Sequence, residues 1–420
     1  MMLEPQEESL LQGAQGPALK LAMELVVKAA RIMGADRLIP VSFAHLDSCF
    51  YAGRAHLDFA RFLQANGATF AVPTWTNNGV VSLEDPELRP QSEDAEMVRG
   101  ARELMEIYAR LGCKPVFTCA PYQLPGGPKA GDHIVVGESN AVSYYNAALG
   151  ARTNKYGAYL DVACALIGKA PLAGLHTDAG RKASLLFRIE NIPEAFLREN
   201  IFAHLLGHHI GERAGQAIPV IEGLHPQTSK DALKAISAAA ASSGGVEHWH
   251  AVGVTPEAPD LETALGGKAP QEVHVVTRAH MREALAALSA GRDGPLQLVA
   301  LGTPHFSPSE FTALAQALDG RKVKVPLQVA TSRFVRDFSS STVEALESQG
   351  VSVVVDTCTY YSPRVRGVQG RVMTNAAKWA WYAPGMLGVE PVFGSLKECA
   401  ESAVRGEVWR DQALWQELDA

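Results

Sequence analysis

Residues 296–356 read LQLVALGTPHFSPSEFTALAQALDGRKVKVPLQVATSRFVRDFSSSTVEALESQGVSVVVD, an alternation of two kinds of segment. Short apolar, β-branched segments are separated by stretches with helical spacing of their apolar residues. With the segment that precedes this region, the apolar ones lie at residues 273–277, 296–301, 325–330 and 351–356. Strands that alternate with helices indicate a mostly parallel sheet covered by helices. The sequence therefore predicts an α/β protein.

The length and composition of the chain indicate several packed domains. It has 420 residues, of which 47% are hydrophobic and 20% are charged, as in ordinary globular proteins. At about 150 residues per domain, this length corresponds to two or three domains. A linker-like composition near residues 240–270 divides the chain into an N-terminal α/β region, residues 1–240, and a C-terminal α/β region, residues 241–420.

The charge and cysteine content exclude several classes of partner and setting. The 38 Lys and Arg against 45 Asp and Glu leave a net charge of −7 and no basic stripe, which argues against nucleic acid. No apolar run approaches the ~20 residues that cross a bilayer, so no membrane partner is expected. The acidic, polar start MMLEPQEES is not a secretory signal. Six cysteines are too sparse for a disulfide scaffold, which predicts a cytoplasmic location.

Two cysteines follow predicted strands, where ligands of open parallel sheets bind. Cys119 lies in the turn TCAPY, and Cys358 ends the segment VVDTC. Thiolates on tight turns suit iron or zinc, so both residues are candidate metal ligands. The alternative is that both are small buried apolar residues, the usual state of a single cysteine. The other four are expected to be packing residues: Cys49, Cys113, Cys164 and Cys399.

Two histidine motifs are weaker signals. In HLLGHHIGE, His204 and His208 lie at i and i+4, but Leu205 occupies the position of the glutamate in H-E-x-x-H. A hydrolytic zinc site there is therefore a weak alternative to buried or surface histidines. In EHWHAVGVTPEAP, His248 and His250 precede a turn, and His250 either lines a site or belongs to the core.

The densest polar segment is GESNAVSYYNAALGARTNK at residues 137–155. Glu138, Ser139 and Asn140 precede an apolar helical stretch, and Arg152 and Lys155 follow the glycine that can end it. A guanidinium can bind a carboxylate through two parallel hydrogen bonds. The alternative is a capped helix with a solvated basic end. Neither phosphate-binding glycine motif is present, which argues against a nucleotide site.

The chain resembles the large subunit, or large-domain region, of the aconitase X family. The landmarks run in order along nearly the whole chain: LQGAQGPALKLAMELVVKAA, IPVSFAHLDS, VPTWTNN, TCAPY, GESNAVSYYNAALGARTN, GKAPLAGLH, GVTPEAP, GTPHFS, VVDTC, VMTNAAKWAWYAPG and FGSLKEC. The resemblance implies the aconitase-like architecture of several α/β domains around an iron–sulfur cluster, and dehydration of a hydroxy acid. The family contains cis-3-hydroxy-L-proline dehydratases and mevalonate 5-phosphate dehydratases.

The resemblance also implies cluster ligands and a partner. Cys119 and Cys358 match cluster cysteines, whereas Thr303 stands where the phosphomevalonate branch has a third cysteine, and Ala376 stands where many relatives have serine. Two thiolates imply a [2Fe–2S] cluster or a smaller iron centre rather than a cubane. The swivelling domain, which supplies a catalytic serine in the family, is not expected in this chain, so a separate small subunit is expected.

These implications predict a hydro-lyase that converts cis-3-hydroxy-L-proline to 1-pyrroline-2-carboxylate. Iron would act as a Lewis acid on the leaving oxygen, and the partner would supply the base. Mevalonate 5-phosphate dehydration is the alternative, with Arg152 and Lys155 as phosphate ligands; a metal-free, non-catalytic binding subunit is another. The pocket-lining candidates are polar residues of the quoted motifs: His45, Ser48, Thr76, Asn77, Glu138, Ser139, Asn140, Arg152 and Lys155.

Overall fold

The computed structural model describes residues 1–85, 95–289, 294–362, 365 and 367–419. The strands are β1 (Leu38–Pro40), β2 (Phe43–Leu46), β3 (Thr74–Thr76), β4 (Ile134–Val136), β5 (Lys169–Pro171), β6 (Leu185–Ile189), β7 (Pro219–Glu222), β8 (His250–Ala251), β9 (Glu272–Val276), β10 (Leu298–Leu301), β11 (Leu327–Ala330), β12 (Val351–Val354), β13 (Arg371–Thr374) and β14 (Glu390–Phe393). The helices are α1 (Pro5–Leu11), α2 (Pro17–Ile32), α3 (Arg54–Ala65), α4 (Ala95–Arg110), α5 (Ser139–Tyr144), α6 (Leu160–Ile167), α7 (Glu194–Leu197), α8 (Asn200–Ala214), α9 (Lys230–Gly244), α10 (Leu261–Leu265), α11 (Arg278–Leu288), α12 (Pro308–Leu318), α13 (Arg333–Phe338), α14 (Ser340–Ser348), α15 (Ala377–Leu387), α16 (Leu396–Arg405) and α17 (Gln412–Asp419).

Three parallel sheets organise the chain. The first has the order β3-β2-β4, the second β8-β7-β6-β9 and the third β12-β11-β10-β13-β14. Neighbouring strands within each of these sheets run parallel, while β1 and β5 form a separate antiparallel pair. This architecture confirms the predicted α/β class of mostly parallel sheets covered by helices.

The strands of the third sheet are short and apolar because both faces are covered by helices. Val299, Leu301 and Val329 are buried, and they pack in one core with Phe311 and Leu314 of α12. Burying side chains of this size contributes about 1.5–3 kcal/mol each. The apolar alternation in the sequence therefore reports the packing of this sheet directly.

The small residues near position 240 serve helix packing. Helix α9 contains this position, and a Cβ added at Gly244 would lie 1.8 Å from the carbonyl oxygen of Gly211 in α8. A Cβ at Gly207 would lie 2.6 Å from the carbonyl oxygen of Ile236. The division expected at residues 240 and 241 thus falls inside α9, and the second sheet takes strands from both sides of it.

None of the helices in the described part of the chain combines the length and apolarity that crossing a membrane requires.

Candidate active site

The carboxyl ends of the first and third sheets meet, and their polar side chains form one buried cluster. Asp47, Asn77 and Glu138 follow strands β2, β3 and β4, while Lys378 lies four residues after β13. The Lys378 Nζ atom donates a hydrogen bond to Glu138 Oε1 at 2.6 Å, across 240 residues of sequence. The site therefore lies where ligands of open parallel sheets bind.

Two glycines allow the strand-end loops to approach closely. A Cβ added at Gly137 would lie 2.6 Å from Asp47 Cβ, so only glycine lets the loops after β2 and β4 pack together. Gly302 has a φ of +89°, and a Cβ there would lie 2.1 Å from the Ala330 carbonyl oxygen. Glycine adopts this left-handed conformation without steric cost. Both positions thus fix the backbone beside the cluster.

His305 ties together the two turns that carry the candidate cysteines. Its Nε2 atom donates to the Thr357 carbonyl oxygen at 3.0 Å, so its Nδ1 atom accepts from the Thr118 hydroxyl at 2.9 Å. Its backbone N–H also donates to Cys119 Sγ at 3.3 Å. Burial lowers the pKa of His305 to about 4, so the imidazole is neutral. One side chain therefore spaces the residues that precede Cys119 and Cys358.

Cys119 and Cys358 are buried near the Lys378 charge. Both are buried, and burial raises the pKa of Cys119 to about 12 and that of Cys358 to about 11. The Lys378 charge acts on both thiols in the opposite direction and favours the thiolates. Metal binding deprotonates such thiols. Two thiols beside a buried cation are therefore a chemically suitable donor pair for a metal.

The described residues offer these thiols no third cysteine, histidine or carboxylate ligand in a common cluster. The Thr303 hydroxyl hydrogen-bonds the Thr359 hydroxyl, with 2.8 Å between the oxygens, and both residues are buried. Ala376 is also buried and is the N-cap of α15. Neither position 303 nor position 376 therefore supplies a third thiol.

Glu138 and Lys378 form a buried ion pair with further hydrogen bonds. Glu138 Oε2 accepts the Ala141 N–H at 2.8 Å, and the Asn140 amide donates both to Glu138 and to the Cys119 carbonyl oxygen. Burial opposes the charge of Glu138, but Lys378, the Ala141 N–H and His45 together lower the pKa of Glu138. Burial likewise opposes the Lys378 charge, yet Glu138 and Cys119 raise its pKa. Both groups are therefore charged at neutral pH.

A second group of carboxyls lies beside this pair. The Asn77 amide donates to Asp47 Oδ1 at 2.6 Å, and the Ser48 hydroxyl donates to Asp161 Oδ1 at 2.5 Å. Asp161 also accepts the backbone N–H groups of Asp47 and Ser48 at 2.8 and 3.0 Å. Burial raises the pKa of Asp47, and it raises that of Asp161 to about 7.

His45 and Thr76 support the turn before Cys119. His45 Nε2 donates to the Thr118 carbonyl oxygen at 2.9 Å, and the Thr76 hydroxyl accepts the Phe117 N–H at 3.0 Å. His45 Nδ1 is buried without a hydrogen-bond partner in the described chain. Burial lowers the pKa of His45 to about 4, so this nitrogen is an acceptor.

The structure brings together seven of the nine pocket candidates around these contacts, but it does not place Arg152 there. Arg152 pairs with Asp178 at 2.5 Å and donates to the His176 carbonyl oxygen at 3.4 Å. The backbone N–H of Lys155 donates to Glu247 at 3.1 Å. The positive charge of the Lys155 side chain nevertheless lowers the pKa of Asp47.

Sequence reasoning missed Lys378, Asp47 and Asp161 as members of this cluster. Lys378 ends the motif VMTNAAK, and in sequence it is a lysine in the first turn of an apolar helix. Such a lysine normally extends into solvent, and nothing local signals its distant partner. The available signal was its position just beyond a buried strand.

The remaining histidines occupy other places. His204 accepts the Ala377 N–H at 3.4 Å, whereas His208 Nε2 lies 3.6 Å from Glu212, so the two have separate partners. A surface cavity of about 620 Å³ adjoins His204 and contains no cysteine. His250 instead joins His248 and Glu257 in a buried cluster.

Comparison with known domain families identifies three consecutive matches. They are described as Aconitase X first domain, at residues 1–179, Aconitase X second domain, at residues 183–286, and Aconitase X third domain, at residues 296–405. Each range contains one of the three parallel sheets.

Characterised relatives match over nearly the whole chain. A cis-3-hydroxy-L-proline dehydratase of Pseudomonas aeruginosa is 41% identical over 99% of this chain and 72% of its own length. The protein of the same name from Hypocrea jecorina is 36% identical, over 96% and 69%. A phosphomevalonate dehydratase large subunit of Methanosarcina mazei is 33% identical, over 97% and 98%.

A solved structure agrees with these matches. The holo-form of aconitase X from Thermococcus kodakaraensis superposes with a TM-score of 0.86 at 30% sequence identity. The match covers 96% of this chain and 100% of that one. The named relatives are dehydratases, which are hydro-lyases, and their family commonly carries an iron–sulfur cluster. With its domains, sheets and strand-end residues matched along its length, the chain belongs to the aconitase X family.

Proposed function

We propose that this chain is the large subunit of an iron–sulfur hydro-lyase that dehydrates cis-3-hydroxy-L-proline to 1-pyrroline-2-carboxylate. The observation that carries this proposal is the 41% identity to the Pseudomonas aeruginosa enzyme over 99% of the chain. The buried thiols beside the Glu138–Lys378 pair support it, because they offer ligands for a centre and charges for a zwitterionic substrate.

Cys119 and Cys358 would hold a [2Fe–2S] cluster or a smaller iron centre. When bound, iron supplies a Lewis acid for the leaving hydroxyl oxygen. His305 would maintain the spacing of the two thiolates through its contacts with Thr118 and Thr357. The low nuclearity is supported by the presence of two thiols and the engagement of Thr303 with Thr359.

Charged and polar groups of this chain would bind and orient the substrate. The Lys378 ammonium and the Asn77 amide are suited to the substrate carboxylate, while Asp47 and Glu138 are suited to its ring ammonium. His45 Nδ1 is an acceptor for a hydroxyl group, because Nε2 already donates to Thr118. Four further polar residues would position these groups through hydrogen bonds and would not contact the substrate themselves: Ser48, Thr76, Ser139 and Asn140. Water would be excluded by the burial of the whole cluster.

The base that removes the α-proton is proposed to come from a partner. A general base must reach within about 3 Å of the proton it takes. Glu138 is a weak candidate because Lys378, Asn140 and Ala141 already engage its oxygens and its pKa is lowered. Asp161 is held by Ser48 and backbone N–H groups. Hydrogen bonds thus already engage the oxygens of both carboxylates.

The proposed partner is a small swivelling-domain subunit. The chain covers 98% of a relative named as a large subunit, and that name supports a second chain in the active assembly. A cytoplasmic setting belongs to the same proposal, since all six cysteines are buried and unbridged. Small hydroxy acids remain the substrate class.

A second candidate is mevalonate 5-phosphate dehydration, favoured by the 98% coverage of the Methanosarcina mazei large subunit. That substrate needs cations for its phosphate. Arg152 is already neutralised by Asp178, which leaves Lys155 as the free cation of the predicted pair and favours the proline substrate.

The proposal is tested by anaerobic co-expression of this chain with the neighbouring small-subunit gene. Water loss from cis-3-hydroxy-L-proline and from mevalonate 5-phosphate is assayed, with iron and sulfide counted on the same sample. Turnover of the proline with about two irons per chain is expected. Cys119→Ser and Cys358→Ser should each remove colour and turnover, whereas the matched Cys399→Ala, in the core of the third sheet, should retain both.

Other outcomes would revise the proposal. Turnover of the phosphate alone would assign the chain to the isoprenoid branch. A complex without iron that turns over neither compound would support the metal-free binding subunit.

A further inference from the structure

A second cluster of potential metal ligands lies around β8, on elements that do not carry the thiols. One ligand atom each from His248, His250 and Glu257 lies within 4.8 Å of the other two. The two imidazole centroids are 4.4 Å apart. In the described ranges, no other trio of histidine, cysteine or carboxylate side chains has this arrangement.

The imidazole nitrogens of this cluster are buried without partners. His250 Nε2 donates to the Arg181 carbonyl oxygen at 2.7 Å, so Nδ1 carries a free lone pair, and it accepts no hydrogen bond. Both ring nitrogens of His248 also have no hydrogen-bond partner, although the side chain is 1% exposed. Buried polar atoms are nearly always paired. A bound ligand would explain one unpartnered nitrogen on each ring, since one ligand atom from each residue lies close to the other two.

The protonation states suit a cation. Burial lowers the pKa of His248 to about 3 and also lowers that of His250, so both are neutral imidazoles. Arg181 donates to both Glu257 oxygens and lowers the pKa of Glu257, which keeps this group a carboxylate. Neutral imidazoles and a carboxylate are the forms in which these residues bind metal.

The spacing also suits a small ion. Glu257 Oε2 lies 3.6 Å from His248 Nε2. Two ligands about 2.0–2.1 Å from a tetrahedral zinc ion lie about 3.3 Å apart, so a small side-chain movement completes the geometry. Thus this pair is almost preformed.

Arg181 and its neighbours hold the cluster from outside. Arg181 Nε donates to both Glu257 oxygens, at 3.1 and 2.8 Å, and its other N–H groups bind Asn146 and the Leu175 carbonyl oxygen. A carboxylate has about four lone-pair sites, so these contacts leave acceptors on Glu257. The Arg181 carbonyl orients His250. In known metal sites, hydrogen bonds of this kind orient the side chains that bind the metal directly.

We propose that His248, His250 and Glu257 bind one divalent transition-metal ion, with Zn²⁺ as the best match. Two imidazoles and one carboxylate are a common zinc donor set, and the fourth position would hold water. The ion would connect β8 to the turn after it, and Glu257 would link this turn to Arg181. Its role is stabilisation of this junction, independent of the iron centre.

The experiment titrates the full-length chain, after chelator treatment and dialysis, with Zn²⁺ and with Co²⁺. Zinc content, the melting temperature and the visible d–d absorption of tetrahedral Co²⁺ are recorded. His250→Gln and Glu257→Gln remove one ligand each. The double variant Cys119→Ser/Cys358→Ser removes the thiols, and His225→Gln, a histidine outside the cluster, is the matched control.

One zinc ion per chain is expected in the wild type, the cysteine double variant and His225→Gln, with a higher melting temperature when zinc is added. His250→Gln and Glu257→Gln should lose at least tenfold in affinity and lose the Co²⁺ band. A wild-type chain that binds no zinc at micromolar concentration would overturn the proposal, even if a variant failed to fold. Equal binding by wild type and Glu257→Gln would also overturn it.

Discussion

Two buried lysine–glutamate pairs join distant parts of this chain, and they differ in what surrounds them. Lys234 contacts Glu310, Asp231 and the His305 carbonyl oxygen, so all its neighbours are fixed protein groups. Lys378 contacts Glu138, and its charge acts on the thiols of Cys119 and Cys358. A buried ion pair alone is weak support for a function. What distinguishes the second pair is its position beside the two candidate thiols.

The two carboxylates also differ in the direction of their pKa shifts. Burial raises the pKa of Glu310, and repulsion by Asp231 acts in the same direction, so the attraction of Lys234 does not reverse the shift. Burial also acts on Glu138, but Lys378, the Ala141 N–H and His45 together lower its pKa. The negative charge of Asp231 next to Glu310 is therefore one difference between the two pairs. The comparison yields four predictions, which follow from the largest effect to the smallest.

Lys378→Met should have the largest effect, because it removes a substrate-facing charge and leaves Glu138 buried without its partner. We expect kcat/KM of the complex to fall about 10²–10³-fold, the usual loss for one electrostatic contact in an active site. Stability should fall as well. Steady-state kinetics and urea unfolding measure the two effects. The exposed Lys397→Met is the control, and a similar kinetic loss there would remove Lys378 from the site.

Lys234→Met should reduce stability strongly. Removing one partner of a buried pair costs about 3–5 kcal/mol, since Glu310 would be left uncompensated. Urea unfolding gives the free energy, with the exposed Lys230→Met of the same helix as control and an expected change within about 0.5 kcal/mol. If both variants changed the free energy of unfolding equally, the buried contacts of Lys234 would not contribute specifically to stability.

His305→Leu tests the residue that links the two pairs. Its carbonyl oxygen accepts from Lys234, while its imidazole joins the turns before Cys119 and Cys358. Loss of such an outer contact typically weakens metal affinity about 10–100-fold. Iron retained after chelator dialysis is the readout, with His225→Gln as control. Full retention of iron in His305→Leu would show that the turns hold the thiols without it.

The smallest effects concern pH. The folded pKa of Glu138 is below its ordinary value of 4.5, so its ionisation stabilises the fold above pH 4.5, and this contribution is lost as pH falls through the folded pKa. The stability lead of wild type over Glu138→Gln should therefore shrink on acidification. The folded pKa of Glu310 is raised, so its ionisation costs stability as pH rises above 4.5. The free energy of unfolding of wild type should then fall relative to that of Glu310→Gln as pH rises. Urea unfolding from about pH 3 to 7 checks both slopes, and equal signs would contradict the comparison.

The sequence was most informative where structure depends on local spacing. The buried strands of the third sheet follow from short apolar segments between helices, and the position of Cys358 beyond such a strand marked it as a candidate. The same local reasoning misjudged the segment around residue 240. Its small residues resemble a linker, yet they allow α8 and α9 to pack at backbone distance.

By itself, the sequence determined the α/β class, the ordered motifs of the family and the two candidate thiols. Only the tertiary structure decided that Lys378 meets Glu138, that Arg152 faces Asp178, and that His305 spaces the cysteines. The physical reason is the separation of the contacting residues along the sequence. Hydrophobic periodicity reports contacts within one element and those that cover it, whereas these contacts join side chains of different segments, up to 240 positions apart.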